Sequence, residues 1–210
     1  MTPGPRKKDL VVLAADKNME FAVTGLLTRH PSLGIREVTA DVKRHPLRDP
    51  GCLCEGVEFL EPLRAQYEHA LLIFDLEGSG TTETDPTVIE TTLDAQLKAH
   101  WGECAATVVI APELEAWVWA DSPHLPELLG WAGPQTVREW LVTQGYALLP
   151  NGKPNRPKEA LEEVLRSVRK PRSSRLYRAV AETVGLLRCT DRAFLRLRGV
   201  LQTWFGDMHA

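Results

Sequence analysis

The segment LLIFDLEGSG at residues 71–80 ends an apolar run on two carboxylates, Asp75 and Glu77, followed by Gly78 and Gly80. A parallel strand buried on both faces reads as a continuous apolar run. The loop after such a strand needs no acid pair for stability, but it is where open α/β sheets place functional groups. A second pair, Glu113 and Glu115, follows the run ATVVIA at 106–111, and Asp16 follows LVVLAA at 10–15. Carboxylates ~4 Å apart repel by about 1 kcal/mol in water and by several times that in a partly buried site. Protonation, an arginine or a divalent cation must offset that repulsion. Mg²⁺ takes one or two protein carboxylates plus waters and completes its shell with phosphate oxygens. These acids therefore suit a metal-assisted phosphodiester site. Each also has a purely structural reading: Asp16 as a helix N-cap, Glu113 and Glu115 as first-turn acids favoured by the helix dipole. Helical residues two apart do not share a face, so only one of Glu113 and Glu115 is expected in a cleft.

Four β-like runs would position these acids: 10–15, 35–40, 70–75 and 106–111. The second, IREVTA, is the most polar and suits an edge. Between the runs lie helical patterns. KNMEFAVTGLLTRH places Met19, Val23, Leu26 and Leu27 on one face behind the N-cap candidate Asp16; VEFLEPLRAQYEH and PTVIETTLDAQLKAH follow. Strands alternating with such helices imply a parallel sheet with right-handed connections. Every strand then ends at the same edge, so the loops carrying Asp16, DVKRHPLRD, Asp75 with Glu77, and PELE meet there. Beyond residue 132 the pattern is helical: GPQTVREWLVTQG, EALEEVLRSVRK, RLYRAVAETVGLLR and DRAFLRLRGVLQTWF. Thr190 or Asp191 caps the last of these, with Phe194, Leu197, Leu201 and Trp204 on its apolar face and Arg192, Arg196 and Arg198 turned mostly elsewhere. The expected fold is α/β: a Rossmann-like parallel sheet of about four strands flanked by helices over residues 1–132, with a helical region at 133–210 packed on it.

The 210 residues suffice for one well-filled core, and the net charge is −3. No apolar run approaches the roughly 18 residues of a membrane span. The N-terminal stretch reads as a short lead into the first strand rather than a signal peptide, so a cytoplasmic location without membrane contact is expected. Cys52, Cys54, Cys104 and Cys189 are too scattered for a disulfide framework, and CxC is not a zinc-ribbon pair, so free thiols are expected. Charge is unevenly placed. Residues 1–150 hold 12 Lys/Arg against 22 Asp/Glu, and residues 151–210 hold 13 against 6. Either the C-terminal part presents a phosphate-binding face, with Lys153, Arg156, Lys158, Arg169, Lys170 and Arg172 holding DNA or RNA, or the two parts neutralise one another. The six tryptophans suit either core positions or interface anchors. There is no GxxxxGK[ST], no GxGxxG after the first strand and no GxSxG, which removes P-loop, dinucleotide and nucleophile-elbow chemistries.

An acid after the first strand, D-x-[DE] after the third and a Glu-rich helix start after the fourth together resemble the Toprim fold, the Mg²⁺-binding domain of topoisomerases, primases and related nucleases. VVIAPELEAWVWADSP, RPKEALEEVL and CTDRAFLRLRGVL resemble, more narrowly, a family of small Toprim-like bacterial proteins without an assigned activity. One of them is the small component of a methylation-associated phage-defence system. The resemblance spans residues 9–206. It implies a Mg²⁺ or Mn²⁺ site on Asp75 and Glu77 with Glu113 or Glu115 as a further ligand. Asp16 or Glu20 would do the acid/base work, and the other subunits of a defence system would be partners. Toprim domains place a Glu directly after the first strand. Here that place reads Ala15-Asp16, with Glu20 a turn later, which leaves open a non-catalytic adaptor that kept the fold.

Overall fold

Three apolar runs and one mixed run build the sheet. The computed structural model describes residues 6–185 and 189–206. β1 (Lys8–Ala14), β2 (Ala40–Arg44), β3 (Tyr67–Asp75) and β4 (Ala105–Ile110) pair in parallel in the order β2-β1-β3-β4. Leu10–Ala14, Ala70–Phe74 and Ala106–Ile110 are buried throughout, as strands covered on both faces must be. β2 is the half-exposed edge. α1 (Lys17–Leu27), α2 (His30–Leu33), α3 (Arg48–Leu60) and α4 (Pro86–Trp101) form the crossovers. After β4 come α5 (Glu115–Val118), α6 (Leu125–Leu129), α7 (Val137–Thr143), α8 (Pro157–Ser167), α9 (Ser174–Thr183) and α10 (Arg192–Phe205). The expected α/β architecture with a helical C-terminal half is the observed one. A single buried apolar cluster runs through both parts. Among the described residues no helix is long and apolar enough to cross a membrane.

The element boundaries differ in four places. The second strand is Ala40–Arg44 rather than 35–40. Arg36 N donates to Phe205 O at 2.9 Å and Thr39 N to Asp9 Oδ2 at 2.7 Å, so these amides are not free for a ladder with β1. The loop after β2 consequently begins at His45. The next crossover starts earlier than VEFLEPLRAQYEH, at Arg48. It stops at Leu60 ahead of a 3₁₀ turn, Glu61–Ala65, that contains Pro62, which has no N–H to give. The PELEAW helix is a single turn, α5. α9 ends at Thr183 instead of running to 188. Residues 186–188, like the expected N-terminal lead at 1–5, lie outside the described residues.

The arginines of α10 lie off its buried apolar face, as expected, and two of them have a specific target. Asp191 is the N-cap of α10, accepting from Phe194 N at 3.2 Å. Arg192 and Arg196 then turn onto the outer edge of β4. Thr107 N donates to Asp94 Oδ1 at 2.6 Å and Val109 N to Glu90 Oε1 at 2.8 Å, while Thr107 O accepts from Arg196 Nε at 2.7 Å and Val109 O from Arg192 at 2.8 Å. Side chains of α4 and α10 thereby replace a fifth strand and satisfy edge groups that would otherwise template another chain.

Candidate functional site

β1, β3 and β4 end beside one another, and their loops surround a cavity of about 660 Å³. Six acids line it, Asp16, Asp49, Asp75, Glu77, Glu113 and Glu115, together with Arg48, Lys158 and Arg172. Asp75 is the last residue of β3. Leu76 N donates to Ile110 O at 2.8 Å and Glu77 N to Pro112 O at 2.9 Å, so the loops after β3 and β4 stay joined past the strand ends. Gly78 and Gly80 then turn the chain with φ of 86° and 83°, a conformation that glycine adopts without steric cost. The space beside them is open, with only Asp49 Oδ2 at 4.0 Å from a Cβ built on Gly78.

Asp75 carries the least compensated charge. Its Oδ1 is shut off from solvent and has no hydrogen-bond partner among the described residues. Burial raises its pKa well above the usual carboxylate range, and the charges of Asp49, Glu115, Asp16 and Glu113 push it further. Asp49, in the first turn of α3, accepts from Asp75 N through Oδ1 at 2.8 Å. Burial and the Asp16 charge raise its pKa, against the backbone N–H bonds it accepts. Glu113 is pushed up to about 7, by burial and then by Glu115, with Lys158 opposing. Lys158 meets Glu113 twice, its backbone N–H donating to Oε1 at 3.1 Å and its Nζ lying 3.6 Å from Oε2. Glu115 is held through one oxygen, Oε1. It accepts from Arg172 and from the Tyr177 hydroxyl, while Arg172 also donates to Tyr177 at 2.7 Å and to Glu162 at 2.8 Å.

The structure thus gathers Asp16, Asp75, Glu77, Glu113 and Glu115 around one cavity, and both members of the Glu113/Glu115 pair line it. Asp16 also caps α1, accepting from Met19 N through Oδ1 at 2.9 Å. Glu20 lies apart and is paired with Arg44 at 2.9 Å. Of the six C-terminal basic residues expected to hold phosphates, two, Lys158 and Arg172, are at the cavity. Lys153 is buried on Asp191 at 2.8 Å, Arg156 stacks on Tyr146 at 4.8 Å and Lys170 Nζ donates to Leu128 O at 2.6 Å. Arg169 is an exposed residue with φ 55° at the end of α8. All six tryptophans are buried or packed on the core, so none stands out as an interface anchor.

Asp49 is the site residue that sequence reasoning did not single out. Its segment, HPLRD, is part of the loop expected at this rim; with β2 ending at Arg44 and α3 starting at Arg48, Asp49 falls in the first helical turn beside the cavity. No protein-family model matches the chain, nor does any curated protein or solved structure. The site must be judged on its own chemistry. Its donors are hard carboxylate oxygens, which suit a hard cation. Among the described residues no three His, Cys, Asp or Glu side chains are grouped as a ready-made metal cage.

Proposed function

We propose that this chain is a Mg²⁺- or Mn²⁺-dependent enzyme that hydrolyses phosphodiesters of DNA or RNA. Following the Toprim-like family it resembles, we place it with other subunits in bacterial antiphage defence. The observation that carries the reading is Asp75, a carboxylate at the wall of a cavity lined by five further acids, whose buried Oδ1 has no donor among the described residues. Asp75 would hold the cation with Asp49 or Glu77 as its neighbour. A divalent ion there supplies charge neutralisation and polarisation of the phosphodiester. The chain's own residues supply the rest. Lys158 and Arg172 line the same cavity and hold Glu113 and Glu115 in place. Asp16 has one oxygen occupied by its helix cap, leaving the other to take a proton. Glu20 is outside the cavity and has no part in this scheme.

The pairing of Glu115 with Arg172 and Tyr177, and of Glu113 with Lys158, favours a second reading. These contacts offset part of the acid repulsion without any cation, as a non-catalytic adaptor would require. Two measurements separate the readings. Supercoiled plasmid, single-stranded DNA and RNA are incubated with Mn²⁺ and either wild type or Asp75→Asn. The enzyme reading expects cleavage by wild type reduced at least 100-fold in the variant, with a Mn²⁺-dependent rise in Tm seen in wild type alone. Equal background cleavage and no metal-dependent Tm shift would leave the adaptor.

A further inference from the structure

A second cavity, about 500 Å³, opens beside the acidic one, at the ends of β1 and β2. Asp16, Asn18 and Arg48 border both cavities. The second has the opposite character. Lys17, Arg44 and Arg48 line it against the single acid Asp16. Arg44 is partly neutralised by Glu20, at 2.9 Å. Lys17 has only a contact with the Phe21 ring, 5.8 Å from its centroid. The Arg48 side chain makes no hydrogen bond or ion pair among the described residues.

Arg48 is also held in a costly backbone conformation, with φ of 54°. Only one other described non-glycine residue, Arg169, has positive φ. Arg169 has a structural explanation. Its N–H donates to Arg166 O at 3.1 Å and the next N–H, of Lys170, donates to Leu165 O at 2.9 Å, the double bond that closes a helix C-terminus through a left-handed residue. Arg48 closes no helix; it begins one. Its N–H donates to His45 O at 3.2 Å across a turn. That turn is fixed from below, since the His45 ring is buried, accepts from Leu47 N at 3.2 Å, and would lie 1.9 Å from a Cβ at residue 51, where the chain has glycine. Glycine would relieve the strain at residue 48, yet an arginine stands there with its guanidinium unpaired at the border of the two cavities. Strain of this kind persists where it is part of a site's working.

We propose that this cationic cavity binds a backbone phosphate of a polynucleotide, adjacent to the linkage presented to the acidic cavity. Arg48 supplies the bidentate contact and Lys17 the point charge. The proposal deepens the phosphodiester reading and rests on it for the class of ligand. It also moves the expected nucleic-acid contact from the C-terminal basic residues to the loops after β1 and β2.

The test is fluorescence anisotropy with a fluorescein-labelled single-stranded 20-nucleotide DNA, in EDTA so that no turnover occurs, across a range of NaCl concentrations. The variant is Lys17→Ala/Arg48→Gly; because glycine removes the strain, this protein is expected to fold with an unchanged or higher Tm. Arg64→Ala, a charge loss just before β3 at the other end of the sheet, is the control. The double variant should bind at least 10-fold more weakly than wild type. Its log K against log salt slope should be shallower by about 0.7, the loss of one phosphate contact. Arg64→Ala should match wild type. Equal affinity and slope in wild type and the double variant would overturn the proposal, as would an equal loss in Arg64→Ala. The cleavage assay on Asp75→Asn separates the two readings. Cleavage that depends on Asp75, with normal binding by the double variant, removes this inference alone. Binding lost in the double variant, with no cleavage by wild type, removes the enzyme and keeps the phosphate site.

Discussion

At the scale of single residues, the acidic cavity makes stability depend on pH in a direction that a bound cation would reverse. Glu113 has a pKa of about 7 in the folded protein against 4.5 for its ordinary value. A raised carboxyl contributes its stability in the protonated form, fully below the unfolded pKa, and loses it as pH rises through the folded value. Ionisation of Glu113 should therefore cost the metal-free protein on the order of 2 kcal/mol between pH 4.5 and 7 after screening by the open cavity, a loss opposed by His69, whose pKa burial lowers. Asp75 and Asp49, both raised, act in the same direction as Glu113. Thermal melts in EDTA at pH 5 and pH 8 should show the drop in wild type, a smaller one in Glu113→Gln, and recovery at pH 8 on adding Mn²⁺. A Tm in EDTA that rises from pH 5 to pH 8 would contradict the assignment. Asp75 and Glu77 were legible in the sequence because an apolar strand ended on them. Asp49 and Arg48 were not singled out within a loop expected at the same rim, because which of its residues face the site depends on where β2 stops, and that is set by hydrogen bonds to Asp9 and Phe205 far away in the chain.

At the scale of elements, the two edges of the sheet are treated differently. β2 is short and half-exposed, whereas β4 is sealed by Glu90 and Asp94 from α4 and by Arg192 and Arg196 from α10. Glu90 is 1% exposed and paired with both arginines, at 2.7 and 3.3 Å. Removing both cations leaves a buried charge without its partners, a change that costs about 3–5 kcal/mol. Arg192→Ala/Arg196→Ala should lower the urea midpoint accordingly. It should also raise the tendency to associate, read by size-exclusion chromatography, since the β4 edge groups would be uncovered. Replacing Glu90 as well, with Gln, should recover part of the loss. The sequence pattern identified α10 by its apolar face. Periodicity cannot tell a solvated arginine from one aimed at a strand edge, because the partner lies about 100 residues away in the chain.

At the scale of the whole molecule, the helical half is fastened to the sheet half through α1 and α9. A Cβ at Gly25 would lie 2.9 Å from Arg178 O and 3.0 Å from Ala181 Cβ, so the helices cross with no room between them. Gly25→Val should destabilise by about 1–3 kcal/mol through overpacking, measured by chemical denaturation. An unchanged midpoint would mean that the two halves are less firmly joined than their packing indicates. The charge asymmetry is resolved at this scale too. Lys158, Arg172, Arg192 and Arg196 of the basic part meet Glu113, Glu115, Glu90 and Asp94 of the acidic part. Neutralisation across the interface therefore accounts for these four cations. Charge totals alone could not separate that from a phosphate-binding face, since counting says nothing of direction.

The sequence by itself determined the parallel α/β sheet, the helical second half and the gathering of Asp16, Asp75, Glu77, Glu113 and Glu115 at one rim. Those features follow from local apolar periodicity and from the rule that parallel strands end on the same side. Only the tertiary structure decided which of those acids have partners. Glu115 is held by Arg172 and Tyr177, Glu113 by Lys158, and Asp75 Oδ1 by none among the described residues. Pairing depends on side chains brought within about 3 Å of each other from segments up to 62 residues apart, and the free energy of a buried charge is set by that neighbourhood rather than by the residue's own type.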